Sequence, residues 1–144
     1  MRDLTTKVLL IITASGNALV GLWAGPAPRS FYDNFPGAGR AWVALDGPYN
    51  EHLVRDVGVL NLALLAVFIA VWLRPSRYLV QVACGAELVY GLPHFLYHLT
   101  HLDPYPTSDK AGLIVSLGVA VAAPIALLVR SSRASEESMT RATI

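Results

Sequence analysis

The chain has 144 residues, of which 54% are hydrophobic and 15% charged, and its formal net charge is +1. A soluble domain carries about 25% charged residues, so this composition indicates a membrane protein with a single domain. The near-neutral charge without a basic patch gives no indication of nucleic-acid binding. The single cysteine, Cys84, excludes a disulfide within the chain and a Cys-x-x-Cys redox site.

Four apolar runs follow one another, at about 8–25, 52–73, 78–99 and 111–129. Each is close to the ~20 residues that a helix needs to cross ~30 Å of hydrocarbon. The sequence therefore predicts an all-α fold, an integral membrane antiparallel four-helix bundle that forms one domain over residues 1–130. The tight turn Arg74–Arg77 makes the second and third helices antiparallel neighbours. The polar residues 131–144 are predicted to form a disordered tail.

The positions of Lys and Arg predict how the bundle is oriented. One side of the membrane would hold the larger group, Arg2, Lys7, Arg74, Arg77, Arg130, Arg133 and Arg141. The other side would hold Arg29, Arg40, Arg55 and Lys110. The positive-inside rule then places both termini in the cytoplasm and the 25–51 and 100–110 loops outside. Arg outnumbers Lys and Ala and Val are abundant, which suggests a GC-rich bacterial genome and hence a multi-pass protein of a bacterial plasma membrane.

The first outer loop is rich in aromatic residues, glycine and proline. Two interpretations stay open for it. Phe31, Trp42 and Tyr49 could anchor a short segment at headgroup depth, as an aromatic belt does. Alternatively, the loop could form a structured cap over the outer ends of the helices, because long loops in compact domains often serve as lids or binding loops.

The third apolar run carries a stripe of ionisable side chains. Counted from Glu87, the residues His94, His98 and His101 follow at offsets of 7, 11 and 14, which brings all four within about 40° of one line on a helix. Ionisable groups inside a membrane are costly and usually functional. Pro93 removes a helix hydrogen bond just before His94 and can re-aim these side chains.

A second group of polar residues is predicted at the same depth. His52 and Asp56 are i,i+4 neighbours at the outer start of the second helix, and Asp103 follows the third helix. A mixed imidazole and carboxylate set suits Zn, Fe, Cu or Mn. The sequence therefore predicts an outward-facing transition-metal site, with candidate ligands His52, Asp56, His94, His98 and His101. The same residues could instead form a metal-free polar network, and a bis-histidine haem between His52 and His98 is a weaker option.

If the site is catalytic, the metal would activate water or bind an oxidant, in redox or hydrolytic chemistry at the outer membrane face. Glu51 and Asp103 are candidate proton carriers, and Glu87 would link the site toward the bilayer. Glu87 lies ~16 Å below His98, too deep to share a metal with it. It could equally be a protonated carboxyl that bonds neighbouring helices through Asn17 or Asn61.

The rival function is a non-enzymatic accessory or scaffold subunit of a larger envelope or respiratory complex. The expected partners are the lipid bilayer and, in either case, a homo-oligomer or a larger membrane complex.

Three stretches carry a resemblance to known proteins: APRSFYDNFPG from Ala27, GPYNEHLVRDVG from Gly47 and PHFLYHLTHLD from Pro93. They look like a family of small, uncharacterised actinobacterial four-helix membrane proteins, which implies the same fold but brings no activity. Through the charged Glu/Arg start of the second helix, the chain has a looser likeness to DoxX-type membrane proteins. DoxX is itself similar to a subunit of a quinone-linked oxidoreductase, but the histidine stripe departs from that pattern.

Overall fold

The computed structural model describes the backbone of residues 3–142 and the side chains of residues 3–132. This part of the chain contains six helices and two short strands. They are α1 (Leu4–Ala24), α2 (Pro28–Asn34), β1 (Pro36–Gly37), β2 (Arg40–Ala41), α3 (Trp42–Asp46), α4 (Glu51–Leu73), α5 (Arg77–Thr100) and α6 (Thr107–Ala142). The prediction of a mostly helical protein is confirmed.

The four long helices α1, α4, α5 and α6 are each long and apolar enough to cross a membrane, and they correspond to the four predicted spans. Three of them begin at a side chain that accepts a hydrogen bond from the backbone N–H three residues later. These N-caps are Asp3, Asn50 and Ser76. Asp, Asn and Ser are favoured at such positions because they satisfy an N–H that has no partner within the helix.

The long helices pack together as a bundle in which α4 lies mainly against α1, and α5 mainly against α6. Helices α4 and α5 also touch, but less extensively. At the closest approach, Gly58 of α4 lies against the backbone of Ala24 and Gly25. One turn earlier in α1, Gly21 faces Leu62. Small residues allow this proximity, which is typical of helix packing within membranes.

The apolar core is concentrated near the connection between α4 and α5. Phe68, Val80, Cys84 and Leu127 are among the buried residues of this core cluster. Many large apolar side chains elsewhere point outward from the bundle, among them Leu22, Val89 and Val115. An apolar outer surface is compatible with contact to lipid.

Helix α6 continues to Ala142, whereas the sequence predicts a polar tail from residue 131. Side chains from 133 onward lie outside the described residues. The predicted disorder of the tail stays a prediction.

Residues 26–50, referred to below as the cap, fold over one end of the bundle. Strands β1 and β2 pair antiparallel with Gly37 opposite Arg40. The intervening turn has positive φ at Gly37, Ala38 and Gly39, which glycine adopts without steric cost. Phe31 packs against Ala24 and Val54, at the end of α1 and the start of α4.

The other half of the cap reaches α6. Trp42 packs against Tyr105, in the α5–α6 loop, and against Leu113 of α6. Phe31 and Trp42 are therefore buried against the helix ends.

Candidate functional site

A hydrogen bond between two buried polar side chains crosses the interior of the bundle. Asn17 of α1 donates from Nδ2 to Oε2 of Glu87 in α5, at 2.8 Å. The same amide group donates to the carbonyl of Thr13, at 3.1 Å. Helices α1 and α5 have few other contacts, so this bond is a main link between them. Within residues 3–132, no salt bridge reaches Glu87.

Above Glu87, three rings continue along the same face of α5. Tyr90 stacks on His94 with ring centroids 5.5 Å apart. His94 meets His98 edge-on at 4.8 Å. Their spacings of three and four residues place them one above another on a helix. Glu87, Tyr90, His94 and His98 are referred to below as the polar stripe, which leads from mid-helix toward the cap.

His101 does not continue the polar stripe. It is the C-cap residue of α5, and its Nδ1 lies 2.9 Å from the carbonyl oxygen of Tyr97. Its ring stacks on that of Tyr97 with centroids 4.0 Å apart, and the residue is exposed. The imidazole of His101 is therefore engaged by its own helix end.

The predicted partners on α4 lie at the protein surface. His52 Nδ1 is 3.0 Å from Asp56 Oδ2, and these side chains are 88% and 64% exposed. Glu51 is also exposed and pairs with Arg55 at 2.8 Å. Asp103 is exposed in the α5–α6 loop. The two candidate ligands on α4 thus pair with each other.

The predicted ligand set is consequently not assembled. Among the described residues, no three His, Cys, Asp or Glu side chains are grouped in a way that could hold a metal ion. The physical reason lies in helix rotation. Val54 and Gly58 are buried on α4, and residues two positions away, such as His52 and Asp56, point about 200° from them. His52 and Asp56 were predicted at the same depth as the histidines of α5, but they do not lie on the side of α4 that packs within the bundle.

Three residues that the sequence analysis did not connect with the polar stripe surround its end nearest the cap. Asp46, at the end of α3, is close enough for its charge to act on His94, His98 and Tyr105. Tyr105 meets His98 with ring centroids 6.2 Å apart. Trp42 packs on Tyr105 from the cap. No local spacing could have revealed Trp42 and Asp46, since they are about 50 residues from His98 in the chain, and Tyr105 follows the end of α5, where helical periodicity stops.

Burial, and secondly the negative charge of Asp46, raises the pKa of Tyr105. The phenol keeps its proton at neutral pH, and the carboxylate of Asp46 lies near enough to act as its hydrogen-bond acceptor. This end of the polar stripe combines imidazole, phenol and carboxylate side chains beneath the cap.

No family model matches the chain, and no curated protein or solved structure is detectably similar to it. The resemblance to the actinobacterial family stays a prediction, and the candidate site is argued from its own geometry.

Proposed function

We propose that the chain is a multi-pass protein of a bacterial plasma membrane, with antiparallel long helices, cytoplasmic termini and the cap outside. Opposite chain directions for α1 and α4 are supported by their contacts, because Gly21 faces Leu62 while Gly25 faces Gly58. The salt bridge from Arg130 to Asp3, at 2.7 Å, supports a common face for the start of α1 and the later part of α6.

Within this topology, the proposed function is proton exchange between the outer face and the middle of the membrane, along the polar stripe. The observation that carries the proposal is Glu87, a buried carboxyl bonded to Asn17 deep in an apolar bundle. Carboxyl, phenol and imidazole groups all exchange protons, and ionisable residues within a membrane segment often mark a functional site, of which proton relays are one kind. Asp46 is exposed at the outer end and would connect the polar stripe to solvent.

The proposed path ends at Glu87. Beyond this residue lies the apolar core cluster with Cys84, Val80 and Phe68. A path of this kind exchanges protons with mid-membrane without conducting them across. Such a path fits a subunit of a larger membrane complex, in which a partner takes up the proton. The proposal is therefore compatible with the hypothesis of an accessory subunit.

The test follows Glu87 by time-resolved infrared spectroscopy in oriented proteoliposomes after a jump in external pH. The carboxyl band is assigned by its loss in Glu87→Gln. His98→Leu should slow the response of this band on the order of 10²-fold, the lower end of what a positioned proton carrier contributes.

His52→Leu is the matched control, because it removes an imidazole that lies exposed on α4. It should leave the response unchanged. Equal rates in wild type, His94→Leu and His98→Leu would contradict the relay, as would a response to internal pH alone.

A transition-metal site is the second candidate function. One observation favours it: the His94 and His98 rings are 4.8 Å apart, and Nδ1 of His98 is buried without a hydrogen-bond partner. Zn, Fe, Cu or Mn would need further ligands, because no third His, Cys, Asp or Glu of the described residues is grouped with these two rings. Metal-dependent redox or hydrolytic chemistry at the outer face would depend on this binding.

Elemental analysis of the purified full chain tests the metal hypothesis. Near-stoichiometric metal that disappears in His98→Ala but persists in His52→Ala supports it. Metal-free protein, or metal retained in His98→Ala, contradicts it.

A further inference from the structure

Three aromatic side chains beneath the cap have buried hydrogen-bonding atoms without partners. These atoms are Nε1 of Trp42, Nδ1 of His98 and the hydroxyl of Tyr105. The three residues are only 7%, 9% and 3% exposed. Buried polar atoms are almost always hydrogen-bonded, so three exceptions in one place require an explanation.

The three residues belong to one neighbourhood although they come from distant parts of the chain. Trp42 and Tyr105 share an apolar cluster with Leu113 of α6. The ring of Tyr105 meets that of His98 edge-on, with centroids 6.2 Å apart. The other cap-facing tryptophan, Trp23, behaves differently, since its Nε1 donates to Oγ of Ser30 at 3.1 Å.

Because these side chains mainly offer hydrogen-bond donors, the ligand group that fits them is a hydrogen-bond acceptor. An indole N–H can only donate. The phenol of Tyr105 keeps its proton and is also a donor, for which the nearby carboxylate of Asp46 competes as an acceptor. Nδ1 of His98 can donate or accept, according to tautomer. The neighbourhood therefore offers an incoming oxygen the indole N–H of Trp42, together with the hydroxyl of Tyr105 where the ligand takes the place of Asp46 as its acceptor.

Charge and apolar surroundings narrow the choice further. An anion would be repelled by Asp46, and the nearby cation Arg40 is already paired with Asp109 at 3.4 Å. Leu113 and the partly buried Leu102, Leu117 and Phe35 pack on the same cluster. These surroundings suit a neutral carbonyl oxygen on a mainly apolar body, as ligand sites commonly combine apolar walls with a few convergent polar groups.

We propose that Trp42, His98 and Tyr105 form a binding site beneath the cap for the carbonyl oxygen of a neutral, mainly apolar molecule. Two sources share this chemistry: a small carbonyl compound that enters from the outer face, and the ester carbonyl of a membrane lipid. The site shares His98 with the polar stripe, but binding of a carbonyl oxygen there does not require proton exchange at Glu87.

The experiment uses the full chain labelled with ¹⁵N-tryptophan, in which the indole N–H resonance of Trp42 is assigned by its loss in Trp42→Phe. In nanodiscs, cyclohexanone is the soluble carbonyl probe and methylcyclohexane its carbonyl-free counterpart. The lipid source is probed by comparing ester-linked with ether-linked phosphatidylcholine.

A carbonyl ligand should move the Trp42 resonance downfield. If the ligand is a soluble compound, the shift should saturate with cyclohexanone; if it is a lipid ester, the resonance should lie further downfield in ester-linked than in ether-linked lipid. Tyr105→Phe keeps the ring but removes a donor, and should reduce apparent affinity about two- to ten-fold or abolish the ester–ether difference. Trp23→Phe, which removes an indole already bonded to Ser30, should leave the response of Trp42 unchanged.

Three results would overturn the proposal. The first is a Trp42 resonance that changes neither with cyclohexanone nor with the lipid linkage. An indole N–H that contacts only water would give this result. The second is an equal shift with methylcyclohexane. The third is an unchanged response in Tyr105→Phe.

Discussion

Asn17 and Glu87 are 70 positions apart in the chain, yet the amide of one donates to the carboxyl of the other at 2.8 Å inside the bundle. The two residues lie on helices that otherwise touch little. Because both side chains are short and buried, the bond is kept only at one axial offset of α1 relative to α5. It therefore fixes the height of the polar stripe within the bundle.

Substitutions at this pair should separate bonding from proton exchange. Glu87→Gln keeps an acceptor for the amide of Asn17, so we expect stability close to wild type together with loss of the carboxyl band. Asn17→Leu leaves the buried carboxyl of Glu87 without its donor and should cost about 1–2 kcal/mol. Thermal unfolding in detergent measures both, and a Glu87→Gln protein less stable than Asn17→Leu would refute this account of the bond.

The contact between α1 and α4 predicts a sharp difference between two glycines. A Cβ at Gly58 would meet backbone atoms of Ala24 and Gly25, which cannot move aside without separating the helices. Gly58→Ala should therefore destabilise the bundle by about 1–3 kcal/mol, as overpacking does.

Gly16 is the control for this substitution, because a Cβ there meets nothing within 4 Å. Gly16→Ala should be neutral or stabilising by up to ~1 kcal/mol through helix propensity. Similar unfolding temperatures for the two variants would show that the Gly58 contact does not limit stability.

Asp3 predicts a defined acid dependence of stability. Hydrogen bonds from the backbone and side chain of Thr6, with Arg130 nearby, lower the pKa of Asp3 from 3.8 to about 2. A group whose folded-state pKa is lowered stabilises the fold above its unfolded pKa and loses that effect as pH falls through the folded value. The contribution of Asp3 should therefore be complete above pH 3.8 and fade toward about pH 2.

Asp3→Asn tests this dependence, since Asn can still cap α1 but carries no charge. Wild type should be the more stable protein at pH 5, and the difference should vanish near pH 2. A constant difference across this range would mean that Asp3 acts through something other than its charge.

The surface pair on α4 should be dispensable. His52 and Asp56 are largely exposed and bond to each other, so His52→Ala and Asp56→Ala should change stability by less than about 0.5 kcal/mol. Unfolding temperatures and metal content give the readout. A large loss of stability or of bound metal in either variant would show that the pair is not dispensable and belongs to the functional site.

The long helices could be predicted because each requires only a continuous apolar run and, for three of them, a capping residue such as Asn50 or Ser76. The polar stripe could be predicted for a similar reason. Glu87, His94 and His98 share one helix, and helical periodicity relates positions within a helix without knowledge of the rest of the fold.

Relations between helices were harder to infer. Depth in the membrane follows from topology, but the rotation of α4 depends on which side chains pack against α1, and this packing turns His52 and Asp56 outward. Tyr105 meets His98 from the α5–α6 loop, where helical periodicity no longer applies. Asp46 reaches the polar stripe because the cap folds back over the bundle. No periodic pattern encodes that contact, since it depends on Trp42 packing against Leu113 of another helix.

The cap leaves the bundle at a residue that contacts the first two turns of α4, the helix to which the cap returns. Gly25 ends α1 and contacts Gly58, while Arg55 of α4 donates from Nη1 to the carbonyl of Gly25 at 2.8 Å. The cap is thus a loop whose two ends are held near each other by contacts between α1 and α4. Because contacts between α1 and α4 hold these two ends, substitutions within the cap should leave the α1–α4 contact in place.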